Sequence, residues 1–285
     1  MKKSGFRVRN QFSDINRSQV DIPDDRQVHD FKREQSKPYH SGDNRRIFAD
    51  SHGQIDRVPI RPGSISACQR NVPLLIFFHG GGMTGGEREV PEKVFDGEFA
   101  VAEPRYRLSP AAKAPAQIED AAQCIAWCFA HDAEYSVDPH RIFVGGMSAG
   151  AYLAAVAVMN PAFLKPYGLH YRQVAGLDLI SGQMTTHFRV KVDLGRDNAA
   201  YNPLIDEYSP LGNLAPDLPP VLMVTGDSGC DIPARPEENA FMAASLRAIG
   251  HPFVRCYSLP DHTHGGALES CDFLLMKFLY DVMES

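Results

Sequence analysis

A doubly wound, mostly parallel α/β sheet with helices on both faces is the fold class this 285-residue sequence predicts, on three observations. Short apolar runs alternate with helix-length segments along the chain. The runs are continuously hydrophobic, as strands buried on both faces must be, rather than alternating as in a half-exposed sheet. No internal repeat or low-complexity tract points to a solenoid or a fibre.

Taken in order, strands are predicted at "PLLIFF" (73–78), "FAVAE" (99–103), "RIFVGG" (141–146), "AGLDLIS" (175–181), "VLMVTG" (221–226) and "FVRCYSL" (253–259). The first helix is predicted within "IEDAAQCIAWCFAHDA", where Ile118, Ala121, Ala122, Ile125 and Phe129 form one apolar stripe. A second, "PEENAFMAASLRAIG", has Pro236 at its first position, acids in its first turn and Gly250 as a stop. "FLLMKFLYDVM" closes the chain as a third. The long connection 182–218 is rich in turn residues and reads as a lid or pocket insertion, with Phe188, Tyr201 and Tyr208 as pocket candidates.

Composition narrows the function classes. A hydrophobic fraction of 44% with 22% charged residues is ordinary for a globular protein whose core needs no disulfide or metal staple. Residues 1–46 carry 11 Lys+Arg against 7 Asp+Glu, leaving 18 against 28 for the remainder. The basic excess is mixed in sign, so residues 1–45 are expected to form a polar extension or loose cap, not a nucleic-acid arm. No run reaches the roughly 18 apolar residues of a membrane span, and the basic start lacks a signal peptide's apolar region. The expected location is therefore cytoplasmic. The six cysteines form no disulfide framework or zinc pattern and are expected to be buried, reduced thiols.

Two glycine motifs carry the chemistry. "HGGGMTGGE" (79–87) follows a predicted strand, so its bare amides either cradle a dinucleotide pyrophosphate or stabilise an oxyanion. The nucleotide alternative gains Glu103 at the end of the next strand. It fails where the glycines should open a helix, because "GEREVPEKVFDGEF" offers Pro91 and no apolar period. The second motif decides between them. Gly146-Met147-Ser148-Ala149-Gly150 is a G-x-S-x-G between a strand and an alanine-rich helix, the context a strained nucleophile turn requires. An acid and a histidine should then follow on later strand-end loops. "DSGCD" supplies Asp227 and Asp231, and "PDHTHGG" supplies His262 and His264.

The segments "FFHGGGMTGGE", "YRLSPAAKAPAQIEDAAQCIAW", "DPHRIFVGGMSAGAYLAA" and "TGD…RPEENAFMAASLRAIGHP" resemble the α/β-hydrolase superfamily, in its hormone-sensitive-lipase-like and carbohydrate-esterase-like branches. The resemblance runs from about residue 70 to the end. It implies an α/β-hydrolase domain over 46–285, oxyanion amides from Gly81, Gly82 and Ala149, a structural His79, and Ser148 as nucleophile. It also favours His264 over His262 as base. The family's usual acid position is occupied here by Gly229. Asp231 is preferred on its longer loop, with Asp227 as the alternative and Glu237 or Glu238 behind both. The implied activity is hydrolysis of short-chain acyl esters, including acetyl or feruloyl esters of carbohydrates, with no cofactor or metal. The partner expected is a small-molecule ester and no nucleic acid; the oligomeric state is left open. An arylformamidase or small amidase with the same triad, and a non-catalytic hydrolase-fold binding module, are the competing functions.

Overall fold

The computed structural model describes residues 46–49, 55–56, 71–196 and 200–285, all within a unit spanning Asp43–Ser285. Residues 1–45, read as a polar extension, lie outside the described residues.

Eight strands form one sheet in the order β2-β1-β4-β3-β5-β6-β7-β8. They are β1 (Arg46–Ala49), β2 (Ile55–Asp56), β3 (Val72–Phe78), β4 (Ala100–Glu103), β5 (Val137–Met147), β6 (Gly176–Ile180), β7 (Val221–Thr225) and β8 (Val254–Ser258). Only the β1–β2 pair at one edge is antiparallel; every other neighbouring pair is parallel. All six predicted strands are present. Strand β5 starts four residues earlier than expected, because Val137 pairs with Val72 across a register shift.

The helices are α1 (Ala116–Ala130), α2 (Ala149–Met159), the one-turn α3 (Pro161–Leu164), α4 (Phe188–Asp193), α5 (Arg235–Ala248), α6 (His264–Ser270) and α7 (Asp272–Met283). Pro236 is the second residue of α5 rather than its first, a position where its missing N–H is still harmless. Strand β3 shows why both faces are covered. Leu74, Ile76 and Phe78 join one core with α1, α2 and α5, while Leu75 and Phe77 join the other with α6 and α7. Period-two alternation thus feeds two cores, and neither face can be polar. Every residue of α2 is buried, which is why that helix is apolar all round.

Cys124, Cys128 and Cys271 are buried as expected, whereas Cys256 is half-buried and Cys230 is exposed. Cys230 sits in a surface turn, its N–H donating to the Asp227 carbonyl, so no core element covers it. Among the described residues, no helix is long and apolar enough to cross a membrane.

Candidate active site

Ser148 stands between β5 and α2 with φ 54° and ψ −114°, a strained backbone for a residue with a side chain. Packing enforces the turn. A methyl on Gly150 would come within 2.0 Å of the Phe78 carbonyl oxygen, so α2 can approach β3 only through glycine. The Ser148 N–H donates to the Ile180 carbonyl at 2.8 Å, tying the turn to β6. Ser148 Oγ has no hydrogen-bond partner among the described residues. Nucleophile–base contacts in such sites commonly close only around substrate.

His264 opens α6 just beyond β8, and its Nδ1 donates to Asp231 Oδ1 at 2.6 Å. That bond leaves Nε2 as the available base. Asp231 lies beyond β7 and is held from several sides. Its Oδ2 accepts from Ser181 Oγ at 2.7 Å and Gly226 N at 2.8 Å; its Oδ1 also accepts from Ile232 N at 2.6 Å. Burial opposes the charge on Asp231, but the His264, Ser181 and Ile232 contacts outweigh it and hold the carboxyl at about 2. Ser181 itself is positioned by Arg235, whose guanidinium donates to the Ser181 carbonyl at 2.8 Å.

The other acids stand elsewhere. Asp227 is half-buried and accepts from the Gly229 and Asp261 amides. Glu238 accepts from Met184 N and from Thr185, and Glu237 is exposed. His262 Nδ1 donates to the Pro260 carbonyl at 2.7 Å, a local turn contact. Glu103 is buried at the end of β4.

The glycine loop after β3 turns sharply at Gly81 and Gly82, with φ of +98° and +63°. At Gly81 a methyl would meet the Gly85 carbonyl oxygen at 2.2 Å, so this turn requires glycine. The Gly81 carbonyl is engaged by the Thr84 and Gly85 amides, while the N–H groups of Gly81, Gly82 and Ala149 have no partner among the described residues. The Ala149 N–H is also the N-terminus of α2, where the helix dipole favours negative charge. His79 is buried, stacks on Tyr106 at 4.4 Å and donates from Nδ1 to the Gly80 carbonyl. Burial lowers its pKa, so the ring stays neutral and braces the loop.

Two residues near the site carry no sequence signal. Glu89 binds Gly80 N–H through Oε1 at 3.1 Å, yet in sequence it is one acid in a charged loop. Ser181 reads only as the end of a strand. Within 182–218, Phe188 lies 3.5 Å from the position of a methyl on Gly82, Tyr201 is exposed and Tyr208 is half-buried. A cavity of about 530 Å³ lined by His140, Arg172, Asp217 and Ser285 holds none of the predicted site residues.

The chain is similar to several known proteins. The chain shares its fold with a bacterial heroin esterase at TM-score 0.57 and 25% identity, over 75% of each chain. A truncated carbohydrate esterase from gut microbiota superposes at TM-score 0.63 and 19% identity, over 77% of this chain and 88% of that one. Residues 65–165 match the BD-FAE family. The fold is the α/β-hydrolase fold. Over 110 residues the chain is 37% identical to the carboxylic ester hydrolase LipN of Mycobacterium tuberculosis H37Rv, covering 36% of the chain and 28% of LipN. It is 32% identical to carboxylesterase NlhH of the same bacterium over 104 residues, 35% of the chain and 33% of NlhH. The matched stretches thus span about a third or less of these two relatives.

Proposed function

We propose that the chain is a serine carboxylesterase acting on short-chain acyl esters, acetyl or feruloyl esters of carbohydrates among them. The observation that carries the proposal is the Asp231–His264 hydrogen bond at 2.6 Å, which fixes the tautomer that presents Nε2 as a base. Ser148 attacks the ester carbonyl as His264 takes its proton, and the Gly81, Gly82 and Ala149 amides receive the oxyanion. His264 then protonates the leaving alcohol, and water hydrolyses the acyl-enzyme by the same steps. The substrate class draws support from the carbohydrate-esterase fold neighbour and the ester hydrolases whose sequences match.

A fluorophosphonate probe is expected to label the protein at Ser148. Ser148→Ala should abolish both labelling and p-nitrophenyl acetate turnover, a loss of roughly 10⁶-fold by the precedent of serine proteases. Its thermal midpoint should stay nearly constant, since the hydroxyl serves chemistry rather than packing. Labelling or turnover retained in Ser148→Ala would sink the assignment.

A further inference from the structure

Glu89 reaches from a charged loop to the glycine turn. Its Oε1 accepts from Gly80 N–H, while Oε2 has no hydrogen-bond partner among the described residues and is not sealed in the core. A methyl on Gly80 would lie 3.1 Å from Glu89 Oε1 and 3.4 Å from Ser148 Cβ, so the carboxyl and the proposed nucleophile flank the same small residue. Burial pushes the carboxyl's pKa up, against the Gly80 hydrogen bond and a weaker attraction to His264. In ester hydrolysis the histidine delivers its proton to the leaving alcohol. With its carboxyl across Gly80 from Ser148, Glu89 stands beside the serine where that alcohol departs.

We propose that Glu89 is a substrate-binding residue whose free Oε2 hydrogen-bonds a hydroxyl of the leaving alcohol, so that the site selects esters of polyols over esters of plain alkyl alcohols. This rests on the serine-esterase mechanism proposed above and specifies its substrate. A desolvated carboxyl meets a neutral hydroxyl in either protonation state, accepting when ionised and donating when protonated. The Gly80 clamp on Oε1 fixes the carboxyl beforehand, so little rotamer freedom is lost on binding.

The test compares kcat/KM for 2-hydroxyethyl acetate and n-propyl acetate, which differ by a hydroxyl in place of a methyl. The wild type should favour the hydroxylated ester about tenfold or more, the usual size of one hydrogen bond to a charged or desolvated acceptor. Glu89→Leu should bring that ratio to about one. Glu89→Gln retains an oxygen for the Gly80 clamp and should lower the ratio by roughly threefold or more, which keeps the test decisive if the leucine variant misfolds. Equal losses on both esters would reduce Glu89 to a loop clamp and overturn the proposal. A wild-type ratio near one, or a preference for acetylcholine over both esters, would overturn it as well. A wild type that turns over no ester at all would overturn the esterase mechanism, and the proposal with it.

Discussion

Two buried carboxylates behave in opposite ways in this molecule. The side chain of Asp231 is fully covered, yet the acid is held at about 2. Asp178, on the neighbouring strand β6, is equally covered, and burial pushes its pKa up to about 8. Burial alone therefore does not decide the charge. Asp231 is met by Ser181, Gly226, Ile232 and His264, each with a proton to donate. Neither oxygen of Asp178 has a hydrogen-bond partner among the described residues, and it packs against Gly145 instead. A sheet interior keeps an unsupported acid neutral and a supported one ionised, and only the ionised one can orient a histidine.

The sharpest way to break this contrast is to remove the charge from the supported acid. Asp231→Asn should retain the circular dichroism spectrum but lower kcat on p-nitrophenyl acetate by about 10⁴-fold, because an amide favours the wrong imidazole tautomer. A loss under tenfold would mean that His264 is oriented by something else.

The unsupported acid should show itself in the pH dependence of stability. Its folded-state pKa lies above its ordinary value, so the native state holds the proton more tightly. That contribution is complete below about pH 4 and disappears as pH rises through about 8. Each pH unit within this window costs at most about 1.4 kcal/mol. Thermal midpoints of the wild type should fall between pH 5 and 9, and those of Asp178→Asn should fall less. Parallel curves would show that the acid has found a donor.

The smallest effect is expected at the acid that His264 does not contact. Among the described residues the Asp227 carboxyl accepts from loop amides, at 3.4 Å from Gly229 N and 3.1 Å from Asp261 N. Asp227→Asn should change kcat by no more than about threefold, in line with a surface substitution. A loss rivalling that of Asp231→Asn would reverse the assignment of the acid.

Much of the fold was legible because its signals are local. Six apolar runs became six strands, with the edge strand β8 partly exposed, and the alanine-rich stretch after Ser148 became a helix packed tightly on the sheet. The turn at Ser148 was equally visible, since the steric demand at Gly150 shows as a missing side chain. The cysteines were less legible: Cys230 looks like any other thiol until its turn is seen at the surface. Glu89 was passed over because its meaning depends on Gly80, nine residues away, and on His264 far along the chain.

By itself the sequence determined the alternation of strands and helices, the strained serine turn, the glycine loop and the order serine, acid, histidine. Each follows from hydrophobic period or from the volume of a single residue, quantities that neighbours in the chain already express. The sequence preferred Asp231 to Asp227 on loop length, but only the tertiary structure shows which acid bonds His264, and only it separated an ionised buried acid from a neutral one. Hydrogen bonds from Ser181, 50 residues away, and His264, 33 residues away, make that difference, and no local pattern encodes which distant donors will converge on one carboxylate.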